Sequence, residues 1–256
     1  MSDAVLTEAR GRTLVITLNR PDARNAVNGD LAAGLEAAVD RLEEDDSLWV
    51  GVLTNNGPVF CAGADLKLIA TGRVAEMITA RGDFGGFVRR ERTKPVIAAL
   101  GGDAYAGGCE IAIASDLIVA AAGARMGLPE VKRSLLAMAG GIAHMPRLVG
   151  EKVALEMIMT GDPVAVERLH TLGLVNDVVE PDVLVDHAVA LAERIAANAP
   201  LAVRASRAAV VEGRDLEADG RWRLAVDKMT PLYASEDFRE GPRAFVEKRA
   251  PAWKAR

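Results

Sequence analysis

The sequence predicts a mixed α/β fold, a β/α core followed by a helical tail. Three observations predict it. Short apolar, β-prone runs recur between Val5 and Val179, separated by stretches of helical spacing. Clusters of Gly, Pro, Asn and Asp punctuate them. From Asp182 onward the pattern is wholly helical, and strands followed by a run of helices indicate a core with an appendage.

The elements follow in order. Val5 to Arg10 and Thr13 to Leu18 flank Gly11-Arg12, which reads as a hairpin. Asn19-Arg20-Pro21-Asp22 is turn chemistry. A helix starts at Asn28 or Asp30, with Leu31, Leu35, Val39 and Leu42 on one face. Leu48 to Thr54 is a buried strand closed by Asn55-Asn56-Gly57-Pro58. Residues 70–92 are irregular and glycine-containing, and are expected to form a helix with a mobile loop. Pro95 to Leu100 is a short buried strand, and a helix runs from about Gly108 to Ser115. Leu117 to Ala122 is a strand, with Ala124 to Leu128 expected to pair near it. Helices follow at 151–159 and 164–171, then a strand at Val175 to Val179. In the tail Leu184, His187, Ala188, Leu191 and Ile195 line one helical face, and Pro200 and Gly213 punctuate later helices. There is no internal repeat or low-complexity linker.

Composition narrows the function classes. The chain has 256 residues, half of them hydrophobic, which is enough for one large domain with a smaller appendage. Only 4% are aromatic, so the core must be built from aliphatic and small side chains. A formal net charge of -5 argues against gripping a nucleic-acid backbone. Two cysteines without metal-type spacing and three histidines do not make up a zinc-cluster pattern. No apolar run approaches membrane-spanning length, and Met1-Ser2-Asp3-Ala4 opens with an acid rather than a signal pattern. A reduced, cytoplasmic protein is the expectation.

Three segments carry chemistry. In Phe60-Cys61-Ala62-Gly63-Ala64-Asp65-Leu66-Lys67 a strand gives way to small residues, so backbone N–H groups can approach a ligand. In Gly101-Gly102-Asp103-Ala104-Tyr105-Ala106-Gly107-Gly108-Cys109-Glu110 glycines lead into an apolar helix. Its first N–H groups lack intrahelical partners and carry the positive end of the dipole, a place to stabilise an oxyanion. In Met126-Gly127-Leu128-Pro129-Glu130 a carboxylate follows a proline at a strand end. Taken singly, each has an ordinary explanation: Asp65 as a helix cap, Glu110 as a first-turn acid, Glu130 as an exposed loop acid.

Taken together, in this order and spacing, they resemble the enoyl-CoA hydratase/isomerase (crotonase) family over nearly the whole chain. Asn19-Arg20-Pro21 with Arg24-Asn25-Ala26 looks like its opening motif. Ala62 to Lys67 and Ala106 to Glu110 resemble its two oxyanion-hole loops, and Gly127 to Glu130 its second acid segment. Thr160-Gly161, Gly173-Leu174-Val175 and Glu240 to Arg249 match further landmarks.

The resemblance implies a crotonase-like spiral of ββα repeats over 1–195 and a C-terminal helical region over 196–256 that trimerises, giving a homotrimer or a dimer of trimers. It implies Glu110 and Glu130 as catalytic acids and bases, and the N–H groups of Ala64 and Gly107 as the oxyanion hole. Each such donor is typically worth about 3–4 kcal/mol in the transition state. It places the coenzyme A moiety of an acyl-CoA substrate against Arg24, Ala62, Ala64, Asp65, Leu66 and Lys67, and against Phe245 and Lys248 of the tail. No metal or further cofactor is implied.

The chain departs from the pattern in one place. Many hydratases carry a Gly-x-x-Pro-Gly-like stretch after the second acid, and here Ala137 stands where the proline is expected. That loop bears on acyl length and on the reaction more than on the fold. Glutamate at both acid positions favours a hydratase. The rivals are an isomerase, a hydrolase or a decarboxylase of the same family, or a protein that binds acyl-CoA or RNA without turnover. Cys61 and Cys109 have no histidine partner in the sequence pattern, His170 and His187 sit on structural faces, and His144 has no assigned role.

Overall fold

The computed structural model describes residues 3–256. Met1 and Ser2, the start of the N-terminal stretch read above, lie outside the described residues. β1 (Val5–Arg10) and β2 (Thr13–Leu18) form the expected antiparallel hairpin. α1 (Gly29–Glu44) begins where the Asn28 side chain accepts a hydrogen bond from the Leu31 N–H, and Leu31, Leu35, Val39 and Leu42 are all buried. β3 (Val50–Asn55) and β4 (Val59–Cys61) follow, then a short α2 (Leu66–Ala70).

Residues 70–92 differ from the expected helix and mobile loop. They form a 3₁₀ turn and a small hairpin of β5 (Ile78–Thr79) with β6 (Asp83–Phe84). Long-range ties decide this. Glu36 on α1 accepts hydrogen bonds from the Gly82 N–H at 3.0 Å and from the Thr79 hydroxyl. A Cβ at Gly82 or Gly86 would meet backbone atoms at 2.1 or 2.2 Å, so only glycine permits these approaches.

β7 (Val96–Leu100) and β8 (Asp103–Tyr105) flank Gly101-Gly102, and α3 (Gly107–Ala114) follows. β9 (Leu117–Ala121) precedes β10 (Arg125–Gly127), and a 3₁₀ turn at Pro129–Arg133 comes next. β10 does not pair with β9 as expected. It lies parallel to β8 and antiparallel to β11 (Val164–Ala165), in a different sheet. α4 (Gly141–Val149), with Pro146 inside it, is a helix the periodicity did not reveal. α5 (Glu151–Thr160), α6 (Val166–Thr171), β12 (Asp177–Val179), α7 (Leu184–Ala196), α8 (Pro200–Glu212), α9 (Ala218–Met229) and α10 (Glu236–Glu247) complete the chain.

The larger sheet has the order β1-β2-β3-β7-β9-β12 and is parallel from β2 onward. The smaller has the order β11-β10-β8-β4. The chain thus lays β3 then β4, β7 then β8, β9 then β10, one strand of each pair per sheet, before a helix. This is the expected crotonase-like spiral of ββα turns.

Both faces of the larger sheet are covered, which explains its unbroken apolar runs. Leu14, Ile16, Val96, Ala98 and Leu100 point into the main core with Phe60, Ala104 and Met126 of the smaller sheet. Their neighbours Val15, Val52, Ile97, Ala99 and Val119 point outward and are covered by Leu184, Ala188, Val189 and Ala192 of α7. Beyond α7, Trp253 and Ala255 of the C-terminal end still pack against this layer, but Trp222, Phe245 and Val246 are 77%, 85% and 78% exposed. No helix among the described residues is long and apolar enough to cross a membrane.

Candidate active site

The strand-to-helix connections of two successive spiral turns meet. Val27 and Ala64 form an isolated parallel bridge, in which the Val27 N–H donates to Gly63 O at 2.8 Å and the Asp65 N–H to Val27 O at 3.0 Å. Alternation along extended chain turns the Ala64 N–H to the opposite side. It has no partner among the described residues. Gly63 has φ +89°, and a Cβ there would meet Ala106 Cβ at 2.7 Å and Gly107 N at 2.9 Å. The two loops therefore touch at backbone level.

Ala106 has φ 51° and ψ −128°, a conformation that residues with a Cβ avoid at a cost of about 1–3 kcal/mol. Its N–H is anchored to Gly127 O at 2.9 Å. The turn delivers Gly107 as the first residue of α3, with an N–H that has no intrahelical partner and none elsewhere among the described residues. A Cβ at Gly108 would meet Cys61 O at 2.1 Å, so the helix start seats directly on β4. The backbone N–H groups of Ala64 and Gly107 thus lie on adjoining loops, both without partners.

Glu110 lies one turn further along α3 and is 3% exposed. Its Oε1 accepts a hydrogen bond from the Gly141 N–H at 2.9 Å, at the start of α4. Burial pushes its carboxyl up to about 7; the N–H groups of Gly141 and Ala139 pull it down, while the charge of Glu130 pushes it further up. Glu130 is buried rather than an exposed loop acid, at 9% exposure on the 3₁₀ turn after β10. Burial raises its carboxyl too. Its Oε2 is buried with no hydrogen-bond partner among the described residues, and such an atom calls for a water or ligand. The charge of Glu130 is felt at both Glu110 and the neighbouring Cys109.

The remaining sequence-derived residues divide into two groups. The Ala62 N–H donates to Arg24 O at 3.0 Å, so Arg24 lies beside the Ala62–Lys67 loop. Arg24, Leu66 and Lys67 are exposed, and neither cation has an acidic partner among the described residues. Asp65 caps α2 by accepting from the Lys67 N–H at 3.1 Å. Phe245 and Lys248 are placed elsewhere. They sit exposed on α10 and at its left-handed cap, and no hydrogen bond or ion pair among the described residues joins them to this loop.

Some supporting residues were not singled out by sequence reasoning. Asn25, buried and at φ 52°, accepts from the Arg20 N–H at 2.7 Å and donates to Asn56 O and Val59 O at 3.0 and 2.9 Å. It pins the Arg24 turn to the entry of β4, and its place in the Arg24-Asn25-Ala26 motif was the available signal. The Gly141 brace on Glu110 left only the Gly140-Gly141 pair as a trace. Both cysteines are fully buried; burial pushes the Cys61 thiol up to about 12 and raises Cys109 strongly as well, which unsuits them as nucleophiles. His170 bonds to Val175 O and His187 to Asp177, both structural contacts. No group of three or more His, Cys, Asp or Glu side chains is placed to hold a metal among the described residues.

The Enoyl-CoA hydratase/isomerase family model matches residues 8–256. A mevalonyl-coenzyme A hydratase from Beauveria bassiana is 39% identical, the match covering 98% of this chain and 95% of that protein. A 2,3-dehydroadipyl-CoA hydratase from Escherichia coli K12 is 34% identical over the whole of both chains. The crystal structure of an enoyl-CoA hydratase from Mycobacterium tuberculosis H37Rv superimposes with a TM-score of 0.95, at 44% identity and complete coverage of both chains. On the match of fold, sequence and length together, the chain belongs to the enoyl-CoA hydratase/isomerase family.

Proposed function

We propose that this protein is an enzyme that adds water across the double bond of a 2-trans-enoyl-CoA to give a 3-hydroxyacyl-CoA. The observation that carries the reading is a pair of buried glutamates with raised carboxyls, next to two loops that touch and present unpartnered N–H groups. The relatives named as hydratases of other CoA thioesters support the same class.

In this reading the thioester oxygen accepts hydrogen bonds from Ala64 and Gly107, and charge moves into the enolate as water attacks. Glu110 takes a proton from the water as its oxygen bonds Cβ, and Glu130 delivers a proton to Cα. The unpartnered Oε2 of Glu130 offers the water a second anchor. Glu110, held near 7, is a strong base for a carboxylate. A base of that strength favours abstraction of the water proton. The step needs no cofactor beyond the coenzyme A of the substrate. Arg24 and Lys67, exposed beside the Ala62–Lys67 loop, would be the cations that meet its phosphates. Phe245 and Lys248 would reach coenzyme A from a neighbouring subunit, with the exposed apolar residues of α9 and α10 as the surface that builds a trimer or paired trimers.

The test is loss of the conjugated-thioester absorbance of crotonyl-CoA and of a longer enoyl-CoA. Rapid loss in the wild type that collapses in Glu110→Gln and Glu130→Gln, with coenzyme A binding intact, supports the reading. No loss on either substrate refutes it.

A further inference from the structure

The hairpin that differs from its sequence expectation carries Phe84 to the oxyanion loop. A Cβ at Gly107 would meet the Phe84 ring at 2.3 Å (Cε1), 2.4 Å (Cζ) and 3.3 Å (Cδ1). The ring edge therefore rests against the Cα of the residue whose N–H is unpartnered. The next residue, Gly85, packs against Ile111 Cδ1 at 3.1 Å, counted from its would-be Cβ. Gly107 and Ile111 are four apart on α3 and share a face, with Glu110 one position round. Phe84 thus stands over the first turn of α3, the turn that leads into Glu110. It is only partly buried although it packs against the main core, so part of the ring faces open space.

The ring is also held in place. The Gly85 N–H donates to Met77 O at 2.8 Å and the Arg89 N–H to Gly82 O at 3.0 Å. Glu36 ties the hairpin turn to α1 through Gly82 and Thr79. Asp83, at φ 59°, makes the bend before Phe84, and the close approaches at Gly82 and Gly86 leave the hairpin little room to shift. A side chain fixed in this way acts as a wall rather than a flap.

We propose that Phe84 is a specificity-determining residue, a fixed wall beside Cα and Cβ of the acyl group that admits a linear enoyl chain and penalises a substituent on Cβ. The inference rests on Gly107 binding the thioester oxygen. A carbonyl on that N–H sets Cα and Cβ within reach of Glu110, and so against the ring. A methyl group met by a rigid wall is worth roughly 10–200-fold in discrimination.

The experiment compares crotonyl-CoA with 3-methylcrotonyl-CoA on wild type, Phe84→Leu and Phe84→Ala. kcat/KM is measured for hydration, and binding of the saturated butyryl-CoA and 3-methylbutyryl-CoA by calorimetry. Melting temperatures show that the variants fold. The expected result is a branched-to-linear kcat/KM ratio that rises at least about tenfold from Phe to Ala, with Leu between. The binding ratio for the saturated pair should rise in the same order. An equal fall on both substrates, with both ratios unchanged, means that Phe84 only packs and overturns the proposal. If the wild type hydrates neither substrate, the hydration reading fails, and the binding ratio alone decides whether Phe84 is the wall.

Discussion

The two sides of the larger sheet are built from the same strands and do opposite things. On the outer side Val15, Val52, Ile97, Ala99 and Val119 meet α7 in an aliphatic layer. On the inner side, at the ends of the same spiral turns, the chain leaves unpartnered N–H groups, a non-glycine residue in a disfavoured conformation and two buried carboxylates. The first arrangement is what lowers free energy, and the second raises it locally. A carboxyl group buried to this extent is tolerated only where surrounding packing over-determines its place. The outer layer supplies such packing, and the inner ends spend part of that stability on chemistry.

Substitutions should separate the two sides. The largest effect is expected on the inner side: Glu110→Gln or Glu130→Gln should lower kcat by about 10²–10⁴-fold in the absorbance assay, with little loss of thermal stability. A stability loss matching the rate loss would mean that these residues are structural. On the outer side Leu184→Ala, at a fully covered contact with the sheet, should cost about 2–5 kcal/mol in denaturant unfolding and leave kcat of the folded protein unchanged. A fall in kcat would show that the layers are coupled.

A smaller effect runs the other way. Glu110 has its folded carboxyl raised from 4.5 to about 7, so its contribution to stability is full at low pH and is lost as pH rises through 7. By linkage this amounts to about 3 kcal/mol at most. Glu110→Gln should therefore be more stable than wild type at alkaline pH, and the gap should close near pH 4. Equal stability at both pH values would show that the carboxylate is not strained. The smallest effect is expected at the tail: Phe245→Ser, on an 85% exposed side chain, should shift unfolding within about 0.5 kcal/mol. If α10 contacts a second subunit, light scattering should show weakened assembly; an unchanged mass would place that contact elsewhere.

The same contrast explains what could be read in advance. Pro95 to Leu100 was legible because a strand covered on both faces is apolar throughout. Ala124 to Leu128 was legible as β-prone, but its partner was not, since alternation does not say which of two sheets a strand joins. Residues 70–92 misled because their shape is set by Glu36, about forty residues upstream in the chain, and not by local propensity. α4 was hidden by Pro146. In the site, Glu110 and Glu130 stood out through their motifs, whereas the Gly141 brace and the seating of Phe84 on Gly107 join residues distant in the chain and leave no local pattern.

The role of the glutamate pair is read most directly from the pH dependence of kcat/KM for crotonyl-CoA hydration, in wild type and Glu110→Gln. In the proposed mechanism the active form carries one shared proton on the glutamate pair. The profile should therefore be bell-shaped, falling at low pH as both carboxyls are protonated and at high pH, from near 7, as the pair loses its last proton. The Glu110→Gln variant should lose the limb near 7 along with most of its rate. A flat wild-type profile from about pH 5 to 9, or a variant that keeps that limb, would contradict it.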